Sequence, residues 1–268
     1  ELYEINRLIE TGKKRYFIIL LLLPVILANM HDTVWPIYFI IMLPYIAEII
    51  LSKIKIFKSN NPYKVIIPEI KYGKWLIIVF IVSLFTGMIT PVFGTPYINM
   101  ITVMQGLSKD YVIELAPVGI LENWKLFVII TLTIMILTFS KTKVRLKDIL
   151  FVFGFFIMAL LARRNTYFLF LISSVSLCNI ITAFLKEYNC EEGFYKIFSN
   201  NIFLIVLSGI IILISINNLT RNMNSSYVDD TMYPIEATKW ILENTDINNI
   251  KLYNHYNFGS YLELNKIP

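Results

Sequence analysis

KKRYFIILLLLPVILANMHDTVWPIYFIIMLPYIAEIILSK, residues 13–53, decides the class of fold. It holds two apolar runs, 16–30 and 34–51, with the polar group Asn29-Met30-His31-Asp32 at their junction. Backbone N–H and C=O groups in hydrocarbon must find partners within their own segment, so such runs are expected as transmembrane helices. A helix needs about 20 residues to cross a hydrocarbon layer ~30 Å thick. These runs fall short of that. Flanking Lys13, Lys14 and Arg15 extend the first by snorkelling, or the bilayer thins locally. The first run is not a signal peptide, because it lacks a small-residue cleavage site and a second run follows at once.

The pattern recurs at 75–90, 126–139, 149–162, 166–185 and 202–216, giving about seven expected spans and an all-α membrane protein. Composition points the same way. Hydrophobic residues make up 56% of the 268, charged residues 16%, and the mean hydropathy is +0.63. Soluble domains hold roughly 45–50% and about 25%.

The net charge of +5 is not the footprint of a nucleic-acid surface, because most Lys and Arg sit in short loops between apolar runs. With the N-terminus cytoplasmic, segments 1–15, 52–74, 140–148 and 186–201 hold sixteen of the 24 basic residues. The positive-inside rule then makes this a multi-pass plasma-membrane protein with an extracytoplasmic C-terminus. It puts His31-Asp32, the loop 91–124, Arg163-Arg164-Asn165 and the tail 217–268 together on the outer face. Cys178 lies in an apolar run and Cys190 in a loop assigned to the cytoplasm, so no disulfide is expected.

The loop 91–124 is long for a compact fold. Pro91, Gly94 and Pro96 end the third run. Residues 97–107 then space Ile98, Ile101, Met104 and Gln105 as a short amphipathic helix, too short to span and suited to the outer interface. Beyond the bundle (1–216), residues 217–232 read as polar linker. Residues 233–268 read as the start of an extracytoplasmic α/β domain: a helix in TMYPIEATKWILENT, a strand in IKLYN, and a turn with a second element in HYNFGSYLEL. The chain opens at Glu1 and stops at Pro268 in mid-motif, so it reads as a piece of a longer protein.

No nucleotide-binding loop, GxGxxG, HExxH, CxxC or nucleophile triad is present. What stands out is polar groups at the outer edge of the bundle. Asn29, His31 and Asp32 form one set, with Asp32 placed to orient His31; they suit a phosphate or sugar, or simply a polar turn that satisfies helix ends. Arg163, Arg164 and Asn165 form a second. Two arginines on the outer side run against the charge trend, and a guanidinium fork suits a lipid-linked phosphate, as it also suits snorkelling to headgroups. Glu114 stands among apolar residues as a base, a sugar ligand, an arginine partner or a solvated acid. Glu48, at the inner end of its run, reads as a structural partner for loop lysines.

Several stretches together resemble the C-terminal half of bacterial multi-span glycosyltransferases of the GT-C superfamily. They are ANMHDTVWPIYFIIMLPYIAE (28–48), ITPVFGTPYINMITVMQG (89–106), VIELAP (112–117), LLARRNTYFLFLIS (160–173) and YPIEATKWILEN with LYNHYNFGSYL (233–262). They cover most of the chain in the right order. The resemblance implies an extracytoplasmic active site and a sugar donor carried on a polyprenyl phosphate or diphosphate within the membrane lipid. No cofactor is called for, a divalent metal being compatible with the chemistry. The family's acidic catalytic residue lies in the first outer loop of the full protein, outside this stretch. The matched positions Asn29, His31, Asp32, Glu114, Arg163, Arg164 and Asn165 are therefore expected to bind substrate in one shared cavity. Two other readings are a polar-lipid flippase or transporter and a non-catalytic membrane assembly protein. The first predicts inverted repeats and mid-membrane charges, and neither is seen in the sequence.

Overall fold

Each of the seven apolar runs holds a helix. The computed structural model describes residues 1–54, 64–104, 113–121, 123–224, 233–247, 250–255 and 258–267. Among them are twelve α-helices: α1 (Leu2–Thr11), α2 (Lys14–Met30), α3 (Trp35–Leu51), α4 (Gly73–Ser83), α5 (Thr95–Met104), α6 (Trp124–Phe139), α7 (Leu146–Leu161), α8 (Thr166–Glu187), α9 (Glu191–Phe198), α10 (Asn201–Asn224), α11 (Ile235–Asn244) and α12 (Gly259–Leu264). Among the described residues two stretches are long and apolar enough to cross a membrane: Arg163–Glu187, with a mean hydropathy of 2.2, and Asn201–Arg221, at 2.5. The chain divides into two compact units, Glu1–Asn189 and Cys190–Pro268.

In the first unit α3 is the central element. Trp35, Tyr38, Met42, Tyr45 and Ile49 are all buried. Edge-on rings line its flanks: Trp35 against Phe39 at 4.9 Å, Phe39 against Phe80 of α4 at 5.7 Å, and Tyr45 against Phe151 of α7 at 5.7 Å. Edge-to-face contact places the positive ring edge on the negative face of its neighbour. Glu48, near the end of α3, touches the start of α7, so the two helices run antiparallel.

The loops gather at two ends of this unit. At the Glu48 end the chain turns at Gly12, whose φ of 64° lets its N–H close on the Leu8 carbonyl at 2.9 Å and cap α1. A Cβ there would also collide with the Tyr72 ring, 2.6 Å away. Two short strands, β1 (Val65–Ile66) and β2 (Val144–Arg145), pair in parallel at the same end. Lys64 donates to the Thr138 carbonyl at 3.3 Å and to the Ser140 carbonyl, placing a cation at the negative end of α6. The described parts of segments 1–15, 52–74 and 140–148, three of the four basic segments of the sequence, thus share one end. The opposite end holds the α2–α3 junction, the start of α5 and the α7–α8 turn.

The structure departs from the sequence reading in four places. Residues 1–15 are not merely a loop: α1 packs on α2 through Ile5, Leu8 and Ile9, all buried. The third run stops as a helix at Ser83 and tightens into a 3₁₀ turn at Thr86–Met88. The Thr86 hydroxyl bonds the Ser83 carbonyl at 2.6 Å and receives the Trp35 indole N–H at 3.0 Å, which takes up the helix end. In the second unit α10 continues through 217–224, expected as linker, since no Gly or Pro interrupts it there. The expected strand at 250–254 forms no ladder: the described residues there offer it no second strand to bond. In that unit α11 and α12 are present, and Tyr233 meets Tyr261 at 5.4 Å.

The short helix of the long loop is present as α5. Its Tyr97 hydroxyl bonds the Leu84 carbonyl, and its ring lies 5.1 Å from Trp35. Residues 105–107, expected to continue it, fall outside the described residues.

Candidate functional site

Arg163, Arg164 and Glu114 meet at the end of the first unit opposite Glu48. Ala162 leaves α7 with extended backbone, and Arg163–Asn165 make one 3₁₀ turn before α8 begins. The stretch Glu114–Val118 is laid across that turn by two backbone bonds. The Val118 N–H reaches the Leu160 carbonyl at 3.3 Å, and the Arg163 N–H reaches the Ala116 carbonyl at 3.0 Å. The buried side chains of Leu115 and Val118 anchor it from beneath. Glu114 is thereby left exposed beside both arginines.

Together these groups line a cavity of about 330 Å³ with Asn123, Thr166 and Tyr167. Both arginines are half-buried. Among the described lining residues two guanidinium groups stand beside one carboxylate. No carboxylate among the described residues lies within ion-pair distance of Arg164. Two helix N-termini open on the same space: Asn123 precedes α6 without using its side chain as a cap, and Thr166 and Tyr167 begin α8. The positive ends of the two helix dipoles favour an anion there. Asn123 and Tyr167 escaped the sequence reading. The available signal was their position, immediately at the start of an apolar run on the side that carries the arginines.

Asn165 does not join them. Its amide donates to the Met158 carbonyl at 2.9 Å and closes the end of α7, which is a structural task.

Asn29, His31 and Asp32 lie at the same end but line a separate cavity of about 370 Å³, with Val92 and Pro96. The two cavities share no lining residue, so the single shared cavity expected from the sequence is divided. The α5 segment explains why. Asn29 donates to the carbonyls of Val25 and Ile89, both at 2.8 Å, tying the α2 end to the loop before α5. Asn99 of α5 donates to Asp32. His31 Nδ1 pairs with the Thr33 hydroxyl at 2.9 Å, so Asp32 is not its orienting partner.

Glu48 is fully buried at the other end. One oxygen receives Arg145 Nη2 at 2.7 Å, and the other receives the Lys147 backbone N–H at 3.0 Å. The partner expected from the sequence, a loop lysine, is an arginine. Lys147 itself turns inward to Asn6 at 3.2 Å and lies 4.7 Å over the Tyr45 ring. Among the described residues no group of three or more His, Cys, Asp or Glu is placed to hold a metal ion.

Compared with protein-family models, with curated proteins and with solved structures, the chain matches none.

Proposed function

We propose that this chain is part of a multi-span membrane glycosyltransferase that moves a sugar from a polyprenyl-phosphate-type donor to an acceptor on the extracytoplasmic face. The observation that carries the reading is the basic cavity, where Arg163, Arg164 and the N-termini of α6 and α8 converge. In this reading α2, α3, α4, α6, α7, α8 and α10 all cross the bilayer. Helices of 16 or 17 residues, at ~1.5 Å per residue, reach ~25 Å, and α4, 11 residues long, does so only together with the 3₁₀ turn that carries the stretch to Met88. Snorkelling flanks and local thinning cover the remainder.

In the reaction an acceptor hydroxyl attacks the anomeric carbon and the lipid phosphate departs. Negative charge grows on the leaving phosphate oxygen, and guanidinium groups already in place stabilise it without reorganisation. A half-buried setting strengthens that attraction relative to water. The general base comes from another part of the protein. Glu114, beside the arginines, is suited to hold a sugar hydroxyl or to balance the arginines when the site is empty.

The test uses membranes that carry the full-length protein and a panel of radiolabelled polyprenyl-phosphate sugars. Protein-dependent transfer from at least one donor supports the reading. Donor turnover no faster than in membranes without the protein refutes it.

A further inference from the structure

A patch of cations stands apart from both cavities, at the end of the first unit that holds Glu48. The Gly12 turn sets the start of α2 against the start of α4. A Cβ on Gly12 would lie 2.6 Å from the Tyr72 ring, and the Phe17 and Trp75 rings meet edge-on at 5.6 Å. Lys13, Lys14 and Arg15 are thereby brought beside Lys71 and Lys74, and all of them are exposed. No Asp or Glu falls within 11–17 or 70–75. The neighbouring acids along the chain are Glu10, which pairs with Arg7 at 3.7 Å, and Glu69. None of these cations joins an ion pair with a described carboxylate. Their side chains lie on rings instead: Arg15 over Tyr16 at 5.5 Å, Lys71 over Tyr72 at 5.3 Å and Lys74 over Trp75 at 5.6 Å.

We infer that this patch docks the headgroups of anionic phospholipids at the membrane surface where α2 and α4 begin. Of the reading above, docking needs only that α2 and α4 stand in the bilayer; it does not need sugar transfer. Three features select this occupant. Tyr16, Tyr72 and Trp75 stand where the apolar runs 16–30 and 75–90 start, and such amphipathic rings settle at headgroup depth. Cations whose stems lie on those rings hold their charge at the same depth, where the lipid phosphates are. Each Lys or Arg there favours an anionic surface by about five-fold. The patch also continues into exposed apolar surface: Ile18 and Ile78, 54% and 40% exposed, follow one turn beyond Arg15 and Trp75. A soluble acidic partner gains nothing from that surface, whereas the acyl chains below a bound headgroup cover it.

The test places a photo-crosslinker at Ile78 of the full-length protein. The nanodiscs hold phosphatidylglycerol and phosphatidylcholine in equal parts with identical acyl chains, and mass spectrometry reads the headgroup of the captured lipid. Phosphatidylglycerol should exceed phosphatidylcholine by about ten-fold or more. Lys71→Gln/Lys74→Gln should lower that ratio by about ten-fold, less than two full steps because the cations of α2 remain. Among the described residues neither lysine side chain makes a hydrogen bond or ion pair, so the melting temperature should hold. Lys141→Gln/Lys143→Gln removes the same charge from exposed positions at the same end and should leave the ratio unchanged. An equal fall in that control would show diffuse surface charge, and no fall in Lys71→Gln/Lys74→Gln would show that these cations select nothing; either result overturns the inference. So does capture of protein in place of lipid. Loss of the preference in millimolar glycerol phosphate overturns it too, since the patch would then be a site for soluble anions. A protein that captures phosphatidylglycerol but turns over no sugar donor keeps this inference and loses the reading above.

Discussion

Arg145→Ala is predicted to harm the fold more than neutralising Glu48 does, although both changes break the same ion pair. The Glu48 carboxylate is fully buried, with Arg145 at 2.7 Å and the Lys147 N–H at 3.0 Å as its partners. Removing the arginine leaves a buried charge with one hydrogen bond, a situation that costs about 3–5 kcal/mol. The Lys147 ammonium, packed nearby on Asn6 and Tyr45, offsets part of that, so about 3 kcal/mol is expected. Glu48→Gln keeps an oxygen for the Lys147 N–H and frees Arg145, whose side chain is already 36% exposed, to turn to water. Its cost should be about 1 kcal/mol. Once residue 48 is neutral the arginine matters little, so the double variant should also lie near 1 kcal/mol, a coupling of about 3 kcal/mol. Thermal and SDS-induced unfolding of the purified full-length protein, measured across the four-member cycle, gives these numbers. Additive effects within about 0.5 kcal/mol would show that the pair is not a coupled buried unit and that the α3–α7 junction is held by apolar packing instead.

Further predictions bear on topology, packing and the two cavities. Single cysteines at Ser226 and Ser59 should react with an impermeant reagent on intact cells at 226 only; labelling at 59 alone reverses the proposed orientation. Gly87→Val should destabilise by about 2 kcal/mol through overpacking, because a Cβ there meets the Tyr97 ring at 2.8 Å. Tyr97→Ala should restore most of that loss, and a Gly87→Val protein with unchanged melting would contradict the placement of α5. Because the cavities share no residue, His31→Ala and Arg164→Ala should have additive effects on donor turnover; strong non-additivity would reunite them into one site.

The helical architecture was legible because a long apolar run calls for its backbone groups to be paired within the segment, and each of the seven became a helix. The grouping of basic loops was legible too: Lys64, Arg145 and the Gly12 turn meet at one end. What escaped was set by partners distant in sequence. Ile5, Leu8 and Ile9 have helical spacing, but a ten-residue amphipathic helix gains stability mainly from a surface to pack on, here α2 and α4. The arginine cavity was half visible: Arg163, Arg164 and Glu114 meet as expected. Asn123 and Tyr167 join them only because α6 and α8 start side by side. The separation of His31 and Asp32 from that cavity depends on Asn99 and on the Asn29–Ile89 bond. Those pairings span 67 and 60 residues, and no local pattern encodes them.

The central claim is that the outer end of the bundle binds a lipid-linked phosphate through its two arginines. Equilibrium binding of polyprenyl phosphate to the full-length protein in nanodiscs, wild type against Arg163→Ala/Arg164→Ala, tests it most directly. Charged hydrogen bonds contribute about 1.5–3 kcal/mol each, so affinity should fall about a hundred-fold or more while the melting temperature holds. Unchanged affinity in a folded double variant would contradict the account and leave the arginines as ordinary headgroup anchors.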